Sequence, residues 1–177
     1  ELNLSDNALT AFTVSNMPKL KILKLQKNAI SFYGDLNIQE AAPTLTELDV
    51  SDNQLDMYDL SKFKKLEYFY ANNNPNLTTV LFPHGSENLM DIKMNNCDIV
   101  HFYAISLPSL HVLELSGNSI RQDANNMGFE EGTYPKLTTL DLSNNEIYAI
   151  NLSIYPALEK VKVSDNHLSR LTVGTLE

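Results

Sequence analysis

Asparagine, a single cysteine and four histidines are the residues of this 177-residue chain whose types could do chemistry. Three Ser-Asp-Asn runs, which end at Asn7, Asn53 and Asn166, invite a metal site, and Cys97 could be a nucleophile beside a histidine. The histidines have no H-x-x-x-H or similar ligand spacing, and nothing cationic in the sequence marks the thiol for activation. Glycine-rich phosphate loops, nucleophile elbows and paired-carboxylate motifs are also absent. The sequence therefore predicts a protein that is not an enzyme, with no cofactor and no metal.

The asparagines instead recur at a fixed position of a repeated pattern. Its clearest copy is residues 137–147, LTTLDLSNNEI, with apolar residues at positions 1, 4, 6 and 11 and asparagine at 9. Eight copies place an asparagine, or once a cysteine, at this ladder position: Asn7, Asn28, Asn53, Asn74, Cys97, Asn118, Asn145 and Asn166. A side-chain amide both donates and accepts hydrogen bonds, so the ladder is predicted to satisfy backbone groups of its own and the next coil.

The pattern L-x-x-L-x-L-x-x-N/C-x-L resembles the leucine-rich repeat, from one end of the chain to the other. The resemblance implies an α/β solenoid, a horseshoe of about eight coils with a parallel concave sheet and a mostly irregular or extended convex side. It also implies that Cys97 is buried, since the family accepts cysteine at the ladder position. The physics of the pattern agrees, because the leucines of Leu-x-Leu share one strand face and no repeat can bury them alone.

The lengths of the repeats predict the local structure of the outer wall of the solenoid. The ladder positions are 21, 25, 21, 23, 21, 27 and 21 residues apart, so every second repeat has the shortest form. Apolar pairs such as Ile150 and Leu152 predict short extended segments in the short repeats. In the long ones, residues 34–43 are predicted to form one or two helical turns, and residues 121–134 an exposed loop. No linker interrupts residues 1–177, so we expect one array, a segment of a longer solenoid whose caps are missing.

Composition narrows the class of partner. The net charge of −9, without a basic block, argues against nucleic acid, and no apolar run approaches the roughly 18 residues of a membrane span. One cysteine excludes internal disulfides. Three glycosylation sequons begin at Asn3, Asn76 and Asn151, about as many as chance would place in a chain this rich in asparagine, serine and threonine.

The outward positions of the predicted strands are the candidate contact surface. Most are polar and of mixed charge, but Tyr68 and Tyr70 lie two residues apart on one strand in the middle of the array. Aromatic side chains are common interface anchors, and we expect both rings to stand exposed inside a charged rim. The alternative is that they are ordinary strand residues. The predicted partner-binding residues are Tyr68, Tyr70, Glu47, Asp49, Asp91, Lys93, Ile22, Val112 and Glu114.

This candidate contact surface predicts a binding function. We expect non-catalytic recognition of a protein partner through the concave face, with a hetero- or homodimer formed through the full-length protein. The irregular repeat lengths, the Leu107-Pro108-Ser109-Leu110 junction and runs such as residues 70–74 are similar to the extracellular leucine-rich immune proteins of arthropods and to Toll-like receptor ectodomains. That likeness implies a secreted or cell-surface glycoprotein of innate immunity. The alternatives are an intracellular, cytoplasmic scaffold or regulatory subunit, and the recognition ectodomain of a larger receptor or enzyme.

Overall fold

The computed structural model describes residues 1–83, 85–102, 106–122 and 134–174. Strands of two or three residues make up almost all of the regular structure in this part of the chain. In chain order they are β1 (Leu2–Asn3), β2 (Phe12–Thr13), β3 (Ile22–Lys24), β4 (Leu36–Asn37), β5 (Glu47–Asp49), β6 (Met57–Asp59), β7 (Tyr68–Tyr70), β8 (Thr79–Leu81), β9 (Asp91–Lys93), β10 (Val112–Glu114), β11 (Arg121–Gln122), β12 (Thr139–Asp141), β13 (Glu146–Ile147), β14 (Ala149–Asn151), β15 (Lys160–Lys162) and β16 (Arg170–Thr172).

Eight of these strands form one long parallel sheet, in the order β1-β3-β5-β7-β9-β10-β12-β15. Each strand is one coil further along the chain, so the sheet is the inner wall of a solenoid. Equivalent pattern positions pair directly, as Leu48 pairs with Phe69 and Phe69 with Ile92. These three central residues are fully buried, while the residues on either side of them are half-buried on the other face of the sheet. The predicted parallel solenoid with an inward-facing leucine row is confirmed.

In the residues that the structure describes, the outer wall consists of extended segments and two short 3-10 turns. It contains four two-stranded parallel sheets, β2-β4, β6-β8, β11-β13 and β14-β16, each of which joins neighbouring coils. The predicted helical turns at 34–43 are two 3-10 turns, Tyr33–Asp35 and Gln39–Ala41, with β4 between them. The predicted extended segment near Ile150 is β14. Of the predicted loop at 121–134, only β11 and residue 134 lie within the described residues.

The core between the two walls contains aliphatic rows and a few clusters of aromatic rings. Phe82 meets Phe69 at 6.3 Å and Phe102 at 5.4 Å between ring centroids, in edge-on geometry. Such edge-to-face packing is the favoured arrangement for aromatic pairs. Near the carboxyl end the core side chains become accessible, since Leu171 is 53% and Val173 59% exposed.

A left-handed residue marks the turn immediately before each ladder position. Eight residues there have φ between 52° and 68°, in a column that we call the turn column: Asp6, Lys27, Asp52, Asn73, Asn96, Gly117, Asn144 and Asp165. Aspartate and asparagine tolerate this conformation better than other side chains do. Their amides also bond along the column, from Asn73 Nδ2 to Asp52 Oδ1 at 2.8 Å and from Asn96 Nδ2 to Asn73 Oδ1 at 2.9 Å.

Gly117 is the one position of the turn column where a side chain would collide with a neighbour, because its Cβ would overlap Asn96 Oδ1. We expect Gly117→Ala to lower the free energy of unfolding by about 2 kcal/mol, through left-handed strain and the displaced Asn96 amide. Gly85→Ala is the control, since Gly85 has φ +62° but nothing within 4 Å of its Cβ, and should cost about 1 kcal/mol. Urea unfolding of both variants measures the difference, and equal losses would mean that the Asn96 contact is without effect.

Candidate functional site

The ladder asparagines hold neighbouring coils together through recurring hydrogen bonds. Asn53 shows the arrangement: its Nδ2 donates to Leu25 O in the preceding coil at 3.0 Å and to Val50 O in its own coil at 3.1 Å. Its Oδ1 accepts the N–H of Ile30, again in the preceding coil, at 3.1 Å. The same three bonds are made by Asn28, Asn74, Asn118, Asn145 and Asn166. Asn7, in the first coil, bonds only to Leu4 O and Ser5 O. These amides are engaged with backbone and do not converge on a site.

Cys97 takes over only the donor half of this arrangement. Its Sγ donates to Ala71 O, in the preceding coil, at 3.2 Å. The N–H that an asparagine there would accept belongs to Leu77, which is displaced by one residue because the coil contains Pro75 and Asn76. That N–H is already bonded within its own coil, to Asn74 O at 3.0 Å. A thiol is therefore sufficient at position 97, since the Leu77 N–H does not need a side-chain acceptor there.

Burial raises the pKa of the Cys97 thiol to about 11, so the reactive thiolate is scarce at neutral pH. We expect native protein at pH 7.5 to react with a thiol reagent at least 100-fold more slowly than urea-unfolded protein. The reaction should accelerate as the pH rises toward that value, because the thiolate fraction grows. Measuring 5,5′-dithiobis(2-nitrobenzoate) reduction with and without urea tests this. Labelling of the native protein at the unfolded rate would show an accessible thiol.

A second polar column, two positions before the ladder, was not predicted from the sequence. Asn72 Oδ1 accepts the N–H of Asn95 at 2.9 Å, and Asn95 Oδ1 accepts the N–H of Ser116 at 2.8 Å. Ser51 Oγ similarly accepts the N–H of Asn72 at 3.1 Å. The signal that could have shown this column is the run of consecutive asparagines at 72–74 and 95–96, which exceeds what one ladder needs.

The solvent face of the long sheet brings the predicted contact residues together in two rows. The register of the strands places Ile22, Glu47, Tyr68, Asp91 and Val112 in the first row. The second row contains Lys24, Asp49, Tyr70, Lys93 and Glu114. Adjacent members of a row are about 4.8 Å apart, the spacing of neighbouring strands. We call the part of this face from β5 to β10 the central face.

The two tyrosine rings of the central face are half-buried, whereas the sequence predicts exposed rings. At Tyr70, side chains of the neighbouring strand β9 account for the difference. Tyr70 OH donates to Asp91 Oδ2 at 3.4 Å, and Lys93 Nζ lies 5.9 Å from the centroid of the Tyr70 ring. Burial, with the nearby carboxylates of Asp91 and Glu47, raises the pKa of Tyr70. Tyr70 therefore stays protonated and remains a donor at neutral pH.

Two lysines each lie between two carboxylates on this surface. Lys24 Nζ is 3.7 Å from Glu1 and 3.8 Å from Glu47. Lys93 Nζ is 3.9 Å from Asp91 and 3.8 Å from Glu114. Exposed pairs of this length contribute little to stability, so the carboxylates are only partly neutralised.

Asp49 and Asp91 are the two aspartates of the central face. Asp49 Oδ1 accepts the N–H of Ser51 at 2.9 Å. Burial raises the pKa of Asp91, although Lys93 opposes the shift. Asp91 Oδ1 is buried and has no hydrogen-bond partner among the described residues.

The family model for the leucine-rich repeat matches residues 41–56 and 135–147, each of which covers a ladder position of this geometry. The chain has the leucine-rich repeat fold. Similar solved structures show the same fold. One is a functional domain of InlJ from Listeria monocytogenes that includes a cysteine ladder, with TM-score 0.57 and 20% identity over 93% of this chain and 43% of that one. Another is the LRIM1/APL1C complex, with TM-score 0.65 and 22% identity over 95% of this chain and 35% of that one.

Among curated proteins, tubulin-folding cofactor E from Arabidopsis thaliana is similar to this leucine-rich repeat solenoid. The two are 27% identical over 96% of this chain, which corresponds to 30% of the length of the cofactor. The chain thus spans less than a third of that relative. The rest of the length of the cofactor is not matched by these 177 residues.

The sequons of this leucine-rich repeat solenoid lie at accessible positions. Asn3, Asn76 and Asn151 are all exposed. Asn3 stands at the amino end of the long sheet and Asn151 on the outer wall, and both accept a hydrogen bond from the N–H of the serine two residues later. Because they are exposed, each of these side chains is accessible to a glycosylating enzyme.

Potential metal ligands do not cluster in the described part of the solenoid. No group of three or more His, Cys, Asp or Glu side chains within residues 1–83, 85–102, 106–122 and 134–174 is arranged to hold a metal ion. In the same ranges, no helix has the length and apolar character needed to cross a membrane. His84 lies outside the described residues. Among the described residues, polar side chains from several neighbouring strands come together on the central face.

Proposed function

We propose that this solenoid is a non-catalytic recognition module that binds a protein partner through the central face. The observation that carries the proposal is the pair of half-buried tyrosines, Tyr68 and Tyr70, at the middle of a rigid sheet with charged residues on both sides. Aromatic side chains surrounded by a polar rim are the usual arrangement of binding hot spots. A stacked array also presents a wide, preformed surface, which favours a macromolecular partner.

Site-specific photo-crosslinking tests this proposal. Benzoylphenylalanine is placed in the full-length protein at position 70, on the central face, or at position 81, where Leu81 is 44% exposed on the outer wall. We expect one protein of the native extract to crosslink from position 70 and not from position 81. Excess unlabelled parent protein should compete with this product, while a competitor lacking both tyrosine rings should not. Specific crosslinking from position 81 alone would place the contact on the outer wall and contradict the proposal.

The cellular setting is a separate part of the proposal, with two candidates. Extracellular host defence is supported by the style of the repeats and by the exposed sequon at Asn76. An intracellular scaffold or regulatory subunit is supported by the likeness to tubulin-folding cofactor E across 96% of this chain. Mass spectrometry of the protein from its own cells separates them: a glycan on Asn76 supports the first, and an unmodified Asn76 in the cytosolic fraction supports the second.

A further inference from the structure

The central face has more carboxylates than its lysines can neutralise. Within the two rows it contains four acidic side chains, Glu47, Asp49, Asp91 and Glu114, but only Lys93 as a base. Lys24, on the adjoining strand β3, is shared between Glu1 and Glu47. All the lysine contacts here are 3.7 to 3.9 Å long.

Tyr68 lies between two of these carboxylates. It pairs with Glu47 on one side and with Asp91 on the other, so its half-buried ring separates two acidic side chains of the first row. The two flanking strands are about 9.6 Å apart, twice the strand spacing. A guanidinium group stacked on the ring would face a carboxylate on each side, in a cation-π contact with two charge-assisted hydrogen bonds. Asp91 would accept through Oδ2, since Oδ1 is buried, and among the described residues Oδ2 is held only by the long contacts to Tyr70 OH at 3.4 Å and Lys93 Nζ at 3.9 Å.

We propose that the partner segment seated on the central face is basic, and that one of its arginine side chains stacks on Tyr68 between Glu47 and Asp91. This inference rests on the proposed function and adds the chemistry of the partner. Charge complementarity selects this occupant, because an acidic segment would meet four carboxylates and an apolar one would bury them without partners. The neighbouring Tyr70 ring already has a cation in the same relation, since Lys93 Nζ lies 5.9 Å from its centroid.

Peptide titration of the full chain tests the inference directly. The probe is an acetylated, amidated peptide (Arg-Ser)4, compared with (Lys-Ser)4 and (Glu-Ser)4, followed by ¹⁵N nuclear magnetic resonance at low salt. We expect saturable shifts of the Tyr68, Tyr70 and Asp91 amides with the arginine peptide, weaker binding of the lysine peptide and no shifts with the glutamate peptide. No saturable shift at these residues with (Arg-Ser)4 would overturn the inference.

Neutral variants separate a specific site from general attraction to an acidic protein. Glu47→Gln with Asp91→Asn should weaken binding of (Arg-Ser)4 at least tenfold. Glu87→Gln with Glu159→Gln removes the same charge at two exposed residues away from the central face and should change binding less than twofold. Equal weakening by both pairs would overturn the stacking site, because only net charge would then matter.

Failure of this inference and failure of the proposed function are distinguishable. If a partner crosslinks from position 70 but its crosslinked segment is acidic or uncharged, the central face binds protein and the basic segment is wrong. If crosslinking occurs only from position 81, the proposed function itself is wrong. A crosslinked segment with arginine at the site of attachment supports both.

Discussion

The Asn118→Ala variant is expected to lower the free energy of unfolding by roughly 1 to 3 kcal/mol. Asn118 is buried, and its amide bonds to Met94 O at 2.8 Å, Leu115 O at 2.9 Å and Ile99 N at 3.0 Å. Alanine leaves Met94 O and the Ile99 N–H without these partners in a place that water does not easily reach, while Leu115 O keeps its bond from Asn145 Nδ2 at 2.9 Å. Urea or thermal unfolding of parent and variant measures the loss.

Asn88→Ala is the matched control for the ladder prediction. Asn88 is exposed and makes one hydrogen bond, from Nδ2 to Lys64 O at 2.8 Å. Because water replaces that bond when it is lost, the control should change stability by less than about 0.5 kcal/mol. Equal effects of the two substitutions would show that the ladder amides do not stabilise the coils.

The double variant Tyr68→Ala, Tyr70→Ala is expected to lose at least about 2 kcal/mol of binding free energy, roughly a 30-fold rise in Kd for the crosslinked partner. The rings are half-exposed and Phe69 between them remains buried, so folding should be nearly intact. Isothermal titration calorimetry measures Kd, and thermal unfolding checks the fold. Met57→Ala with Leu81→Ala, two accessible apolar residues of the outer wall, is the control and should bind as the parent does.

An unchanged Kd for the tyrosine double variant would remove the central face as the contact site and direct attention to residues 121–134. Charge reversal gives a kinetic readout of the same surface. Replacing Glu47 and Asp49 by lysine should slow association with a basic partner and flatten its salt dependence, because steering charges act before contact; at Glu47 it should also speed dissociation, because Glu47 is proposed to contact the partner's arginine.

The sequence predicts the parallel sheet and its register because the apolar residues at fixed pattern positions can all be buried only if equivalent positions of neighbouring coils lie side by side. Leu48, Phe69 and Ile92 pair as their pattern positions require. The burial of the tyrosine rings could not be predicted in this way. It depends on side-chain reach between strands, such as the Tyr70 to Asp91 bond, which a strand register does not specify.

The turn column, and the reason why position 97 accepts a cysteine, were also not predicted from the sequence pattern. A left-handed residue before each ladder position could have been inferred from the recurrence of Asp and Asn there, but Lys27 at one of these positions weakens that signal. The pattern explains Cys97 only as an allowed substitute. The physical reason requires knowing that the Leu77 N–H bonds to Asn74 O, which is a property of three-dimensional turn geometry.

The missing acceptor at Cys97 also affects the mechanics of the array. In a solenoid each coil contacts only its neighbours. The stiffness of the joint between two coils therefore depends on the bonds that cross that joint. The joint between the coils of Asn74 and Cys97 lacks the ladder bond to a backbone N–H that each joint from Asn7 to Asn74 and from Cys97 to Asn166 has. Two other side-chain bonds cross this joint instead, from the Asn95 N–H to Asn72 Oδ1 and from Asn96 Nδ2 to Asn73 Oδ1. The curvature of the central face is therefore held at this joint by the turn column and the second polar column, beside the strands that carry the tyrosines.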